Sequence, residues 1–510
     1  MAIDVLIGQA YILRFDPTLW EAQRPYPPLG ALYAAACVRA AGHRVAIFDA
    51  MLAESEADWV TALDAHRPTV AVLFEDSFNY LSKMCLARMR EAALTMIRAA
   101  RERGIAVVVA GSDATDHPAH YLDAGALAVI AGEGEVTLVD VLDRLARGEA
   151  DLRHVPGVVV RHEGELHRTA PRPIMRDLDA LPRPAWDLVD IERYRRVWTA
   201  RHGHFSLNIA TTRGCPFHCN WCAKPIYGQR YTARSPEAVA DEVAWLRSNY
   251  GPDHLWMTDD IFGLKPGWVE AYAAALEARG AVVPFKCLMR ADNVTANVAA
   301  ALRRAGCRTV WIGAESGSQR ILDAMEKGTR IEQIEAATRW LRSEGIEVCF
   351  FLQFGYPGET LVEIEQTLDM VRRCEPDDIG ISVSYPLPGT PFFERVRAQL
   401  GQKQHWVDSG DLDMMYRAAY EPEFYRALHA LVHARFRAQR GVRALRRAWA
   451  GAGRLDVHAV RSALAAVVRR PALERRVRRL AATGAASAST PALVPILTPQ
   501  AASVPSEQHQ

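Results

Sequence analysis

Over the first 150 residues, short continuous apolar runs alternate with stretches of helical periodicity. DVLIGQA (4–10), RVAIFDA (44–50), TVAVLFED (69–76), IAVVVAGSD (105–113) and ALAVIAGEGE (126–135) are rich in Val, Ile and Ala and lack polar alternation. That is the pattern of parallel strands covered on both faces. PLGALYAAACVRAAG (28–42) opens after Pro27 and closes at Gly42, as a helix does, and further helices are predicted near 55–65, 82–103 and 136–147.

Residues 1–150 are thus predicted to form a flavodoxin/Rossmann-like doubly wound parallel sheet. VPGVVVRHEGELHRTA and the Pro-punctuated LPRPAWDLVD predict a hairpin and connector over 151–203. From 204 to 396 a strand-then-helix unit recurs six times. Strands are expected at 205–212, 254–260, 284–290, 309–316, 347–355 and 378–387, with helices near 235–250, 266–279, 295–306, 318–326, 331–344 and 360–374. This predicts a partial (β/α)6 TIM-type barrel, whose active site belongs at the strands' carboxyl ends. Residues 397–480 read as helical. Their Arg-rich part reads as packing helices, and Trp406 to Tyr416 as a stretch in contact with substrate. The Ala/Ser/Pro/Gln-rich 481–510 reads as disordered.

In a doubly wound sheet, ligands also bind at the carboxyl ends of the strands. Here those ends turn small and polar: Asp49, Glu75 with Ser77, Gly111 with Ser112, and Gly132 with Gly134. Glycine lets backbone approach a ligand, and the polar groups offer donors and acceptors. Ordinary strand-to-helix turns favour the same residues. No GxGxxG follows the first strand, where a long loop (11–26) stands, so a dinucleotide is not expected.

Composition narrows the function. The 510 residues contain 61 Lys plus Arg against 60 Asp plus Glu, a net charge of +1, which argues against a nucleic-acid-coating surface. No run approaches the ~20 apolar residues of a bilayer span, and the start lacks the features of a secretion signal. A cytoplasmic protein without membrane contact is expected, and its nine cysteines are then no disulfide framework. Cys37, Cys85, Cys287, Cys307, Cys349 and Cys374 are scattered and read as buried small hydrophobes.

The other three, Cys215, Cys219 and Cys222, lie in CPFHCNWC with Cys-x3-Cys-x2-Cys spacing. Three thiolates on one tight loop can hold three irons of a [4Fe–4S] cube and leave the fourth open for chemistry. A zinc site drawing on His218 and a structural cluster in a non-catalytic carrier are the competing readings.

CPFHCNWC is similar to the signature of the radical S-adenosylmethionine (SAM) superfamily. With a doubly wound domain ahead of the barrel, the chain resembles the cobalamin (B12)-binding radical SAM class, which includes class B methylases and anaerobic protoporphyrin-ester cyclases. The resemblance implies a [4Fe–4S] cluster on Cys215, Cys219 and Cys222, together with SAM and cobalamin. For SAM it implies contacts from Trp221, Asp259, Asp260, Arg290, Glu315, Ser316, Gln353, Tyr356 and Pro357. For cobalamin it implies Pro28, Leu29, Gly30, Asp49, Glu75, Ser77, Gly111, Ser112, Gly132 and Gly134. The Asp-x-His-x-x-Gly string by which cobalamin mutases supply a histidine to cobalt does not occur, which fits a class that commonly dispenses with that ligand.

The implied chemistry is SAM cleavage to a 5′-deoxyadenosyl radical, driven by an external flavodoxin- or ferredoxin-type reductant. That radical functionalises an unactivated C–H of a small molecule, by C-methylation or, alternatively, by oxidative cyclisation or rearrangement. The methylthiotransferase class would need three amino-terminal cysteines, and only Cys37 and Cys85 occur there.

Overall fold

The computed structural model describes residues 3–78, 86–223, 226–401, 405–408, 410–451 and 456–485. Its first sheet comprises β1 (Val5–Gly8), β2 (Val45–Phe48), β3 (Val70–Phe74), β4 (Ala106–Ala110), β5 (Ala128–Ile130), β6 (Val158–His162) and β7 (Glu165–Arg168). The order is β2-β1-β3-β4-β5-β6-β7, with the first five strands parallel. The 2-1-3-4-5 core is the flavodoxin-like doubly wound order, and its ligand crevice opens where the order reverses, between β1 and β3. One face packs Trp59, Leu63, Met96 and Ile97, and the other packs Ala31, Ala35, Leu138 and Val141. Burial on both faces explains why the strands read as unbroken apolar runs.

Three details differ from the sequence reading. The loop 11–26 contains a helix, Pro17–Ala22, whose first turn is fixed by Pro17 at its start and by the Asp16 side chain accepting from Leu19 N. The strand expected to run to 113 ends at Ala110, because Gly111 takes a φ of +151 and Ser112–Asp116 turns helical. The 151–203 hairpin is the antiparallel end of the first sheet, with Val159 opposite Val129. It leads into a helix, Ile191–His202, capped by Asp190.

The second sheet holds β8 (Ser206–Ile209), β11 (His254–Met257), β12 (Phe285–Met289), β13 (Cys307–Glu315), β14 (Glu347–Phe354) and β15 (Asp378–Val383). All six are parallel, in the order β15-β14-β13-β12-β11-β8. Between them run the helices Pro236–Tyr250, Trp268–Ala278, Ala296–Ala305, Gln319–Ala324, Ile331–Ser343 and Leu361–Cys374, at the expected positions. A small clasp, β9 (Thr212–Arg213) against β10 (Thr232–Ala233), closes the base of the cysteine loop.

Two long helices, Pro422–Trp449 and Val457–Ala485, complete the chain. Phe424, Leu428, Leu431 and Val432 are buried in the main core, and Arg435 joins Glu365 to Glu474, so the Arg-rich region packs on the barrel as expected. The second of these helices continues to Ala485, so 481–485 are not disordered as expected; Ala481 is buried there. Residues 486–510 and Cys85 lie outside the described residues. Of the other scattered cysteines, Cys287, Cys307, Cys349 and Cys374 are buried, whereas Cys37 is only half-buried. Among the described residues no helix is long and apolar enough to cross a membrane.

Candidate functional site

The cysteine loop is held at both ends. At its base, Thr211 N and Thr212 N each donate to Asp259 Oδ1 at 2.7 Å, and the Thr211 hydroxyl donates to Oδ2 at 2.7 Å. Burial pushes the Asp259 carboxyl up to about 6 against the pull of these donors. At the far end, Asn220 N donates to Met325 O at 3.0 Å, its side-chain amide donates to Ala324 O at 2.8 Å, and Phe392 N donates back to Asn220 O. Gly214 has a φ of +77, and a Cβ there would stand 2.2 Å from Arg230 O, so only glycine fits the turn into Cys215. The three thiols are unbridged, with Cys219 buried and Cys215 and Cys222 half-buried. Positive charge gathers beside Cys219: Arg290 Nη1 lies 3.9 Å from its sulfur and the Lys327 ammonium is also close. A reactive thiolate site is expected to be electropositive and partly exposed in this way, so the donor set fits an iron–sulfur cluster.

Several residues expected to touch SAM surround this loop, but not all of them face it freely. Glu315 adopts a left-handed φ of +58 at a register shift in β13 and accepts from Lys327 Nζ at 2.8 Å. Gly313 leaves room for that pair, since a Cβ on it would come 2.7 Å from Lys327 Nζ. Gln353 is 1% exposed, yet neither atom of its amide has a partner; a buried orphan amide of this kind fits an adenosyl or methionyl polar group. Trp221 packs with Tyr356 and Phe392, and its buried indole N–H is likewise unpartnered. The Tyr356 hydroxyl lies 2.9 Å from Asn220 Oδ1 and 2.8 Å from Ala324 O, so it braces the loop; Pro357 follows, half-buried.

Others turn away. Ser316 accepts from Ser318 N and meets Thr367, which ties it into the fold. Asp259 is spent on the threonines, while Asp260 is exposed. Arg290 is no open fork: Nε and Nη2 hold Asp292 at 2.9 and 2.8 Å, and Nη2 also donates to Lys327 O and Thr329 Oγ1. Its guanidinium also lies 3.6 Å over the Phe217 ring.

Six of the ten residues expected at cobalamin converge on one small cavity at the first sheet's carboxyl edge: Gly30, Glu75, Ser77, Gly111, Gly132 and Gly134. Ile226 and Tyr227, just past the cysteine loop, close it. A Cβ on Gly111 would meet Glu75 at 2.7 Å and one on Gly134 would meet the Phe74 ring at 2.8 Å, so the bare backbone forms the cradle. Ser112 Oγ and both amide atoms of Gln9 are buried at the same strand ends without partners. Bare backbone beside orphan donors and acceptors fits an amide-rich macrocycle such as cobalamin. Burial, with Asp76 and Asp113 nearby, pushes Glu75 up to about 8. Pro28 caps the helix beginning at Leu29, which is fully buried. Asp49 instead faces the connector helix, where the Tyr194 hydroxyl lies 2.8 Å from both carboxylate oxygens.

Sequence reasoning missed the link between the two sheets. Arg213, two residues before Cys215, is buried with Glu133 and Glu135 at 2.5 and 2.6 Å, beneath the rings of Tyr227 and Tyr33. It also missed Gln9 and Tyr11, both buried with unpartnered polar atoms. The strand-end position of Gln9 was the available signal. In the stretch expected to touch substrate, Trp406, Met415 and Tyr416 are buried: Trp406 stands edge-on to Tyr385, 3.8 Å between ring centres, and the Tyr416 hydroxyl donates to Gly355 O. Asp113, His117 and His405 bring potential ligand atoms within 4.8 Å of one another, but Arg90 is bonded to both Asp113 and His405, which disfavours a cation there.

Comparison with known proteins agrees with this layout. A B12 binding domain model matches residues 18–142 and a Radical SAM superfamily model matches residues 209–371. The chain is 28% identical to an uncharacterized methyltransferase of Pyrococcus horikoshii over 371 residues, 72% of this chain and 78% of that protein. It is 27% identical to the anaerobic magnesium-protoporphyrin IX monomethyl ester cyclase of Synechocystis, covering 63% of each chain. The radical SAM methyltransferase TsrM of Kitasatospora setae, solved with cobalamin and a [4Fe–4S] cluster, shares the fold with a TM-score of 0.62 at 21% identity, over 78% of this chain and 75% of its own.

Proposed function

For this cobalamin-dependent radical SAM enzyme, whose B12-binding domain precedes its radical SAM domain, we propose C-methylation of an unactivated carbon on a small molecule. The observation that carries it is the Arg213–Glu133/Glu135 link, which fastens the cysteine loop to the glycine-lined strand ends of the first sheet. Two cofactor sites joined by a buried ion network can serve one substrate between them.

When bound, the cluster, SAM and cobalamin supply one-electron cleavage of a sulfonium and a transferable methyl group. The chain's part is placement. Cys215, Cys219 and Cys222 would hold the cluster. Trp221 and Gln353 would bind SAM, and the Lys327–Glu315 pair would present a fixed carboxylate to it. Gly30, Gly111, Gly132, Gly134 and Ser112 would seat cobalamin. Trp406, Tyr416 and Tyr385, all buried, would help to keep water from the reacting carbon. An external flavodoxin- or ferredoxin-type reductant and a cytoplasmic location complete the reading.

Anaerobically reconstituted protein, given reductant, methyl-labelled SAM and a small-molecule extract, should form S-adenosylhomocysteine and 5′-deoxyadenosine and leave label in one extract component. Cys219→Ala should form none of these. Ring closure without methyl transfer is the second reading, favoured by the cyclase relative. Formation of 5′-deoxyadenosine without S-adenosylhomocysteine would select it.

A further inference from the structure

A roomy cavity lies at the end opposite the cysteines. It holds about 710 Å³ at the amino-terminal ends of the second sheet's strands, within the ~300–1,000 Å³ typical of ligand sites. His254, Lys286, Thr309 and Asp378 each stand at or near the start of their strand and line its floor. Arg24 and Tyr26 from the first domain, Trp198 from the connector helix and Arg443 from the carboxyl-terminal helices form its walls. Four separate parts of the chain therefore meet there.

The charges in the cavity are not evenly matched. Of the four lining carboxylates, Asp377 holds Arg443 at 3.2 Å, Glu347 accepts from Thr309 Oγ1 at 2.9 Å, and Asp378 and Asp456 accept from Ile379 N and Ala459 N, each at 2.9 Å. On the other side Lys286 and Arg24 have no carboxylate within ion-pair distance among the described residues. Lys286 Nζ instead stands 4.9 Å from the Trp256 ring and 5.6 Å from the Tyr26 ring. Burial, helped by repulsion from Arg24, lowers the Lys286 ammonium to about 8, which marks a cation short of a counter-charge. His254 does not supply more charge. His254, pushed down to about 3 by burial and Lys286, is a neutral hydrogen-bonding group tied through Ser206 to Tyr26. Around these cations Tyr26 and Trp198 line the wall with ring centres 5.2 Å apart, and Trp256 packs on Tyr26 at 4.9 Å.

We propose that this amino-terminal mouth is a second ligand site, separate from the cysteine end, for an organic anion that carries a planar ring. The anionic group would pair with Lys286 and Arg24, and the ring would lie against the Tyr26–Trp198 wall, where cation–π and stacking contacts reinforce each other.

The test is calorimetric titration of the reconstituted holoenzyme with 2-naphthoate, with neutral 2-naphthamide and with inorganic phosphate. Naphthoate should bind one per chain, and the amide and phosphate about tenfold or more weakly. Lys286→Met should cost naphthoate binding about tenfold and Lys286→Arg should largely keep it. Arg24→Met, at an exposed position, repeats the charge test should the buried variant not fold. Equal binding of naphthoate and naphthamide, equal binding of phosphate, or undiminished naphthoate binding by both charge-removing variants would overturn the assignment.

Discussion

The guanidinium of Arg290 points one nitrogen, Nη1, at the sulfur of Cys219 from 3.9 Å, while Asp292, Lys327 O and Thr329 fix its other nitrogens. A donor held this way stabilises the more negative state of whatever the sulfur ligates. Arg290→Met should therefore lower the reduction potential of the reconstituted cluster. A hydrogen bond to a charged group is worth about 1.5–3 kcal/mol, which for one electron is roughly 65–130 mV. An EPR-monitored redox titration measures it, with Arg290→Lys expected in between; an unmoved potential with intact iron content would show that the contact is structural only.

Gly214→Ala asks whether the turn into the loop decides cluster assembly. The new Cβ would collide with Arg230 O in a backbone conformation hostile to side chains. Iron and sulfide content after reconstitution should fall severalfold while far-UV circular dichroism stays native.

Arg213 should matter for stability as well as activity. Arg213→Met leaves Glu133 and Glu135 buried and facing one another, and breaking a buried ion pair from one side costs about 3–5 kcal/mol. Urea denaturation should show that loss, and converting both glutamates to glutamine in the same variant should recover much of it.

Gln353 offers a test with opposite signs in two measurements. Its buried amide has no partner, and an unsatisfied buried polar group costs about 1–3 kcal/mol. Gln353→Leu should raise the melting temperature of the cofactor-free protein and weaken SAM binding to the reconstituted one by about tenfold or more. Stability and affinity that fall together would point to plain packing damage.

Glu359 sets a pH dependence. Burial pushes its carboxyl from 4.5 up to about 8, although Gly355 N donates to it at 2.6 Å. The folded chain thus keeps a proton that the unfolded chain releases above about 4.5. Glu359 is without penalty below that pH, and its contribution becomes increasingly destabilising as pH rises to about 8. Glu359→Gln should be more stable than the parent by a margin that grows from pH 5 to 8 and then levels off, as read by denaturant melts at each pH.

Much of the layout was legible because short-range rules governed it. Apolar runs buried on both faces gave the strands of both sheets, and the Cys215–Cys219–Cys222 spacing marked the loop. The helix Pro17–Ala22 was legible too, in the pairing of Asp16 as a cap with Pro17, but it lay within what read as a loop. What could not be read was where polar strand-end residues would spend their hydrogen bonds. Asp49 turned to Tyr194, Asp259 to the two threonines and Arg290 to Asp292, each choice decided by folding. The Arg213–Glu135 pair spans 78 residues of sequence, and no local pattern announces it.

In the second sheet, β8 and β15 are edges that never pair with each other. A ring of strands that stays unclosed has no fixed circumference.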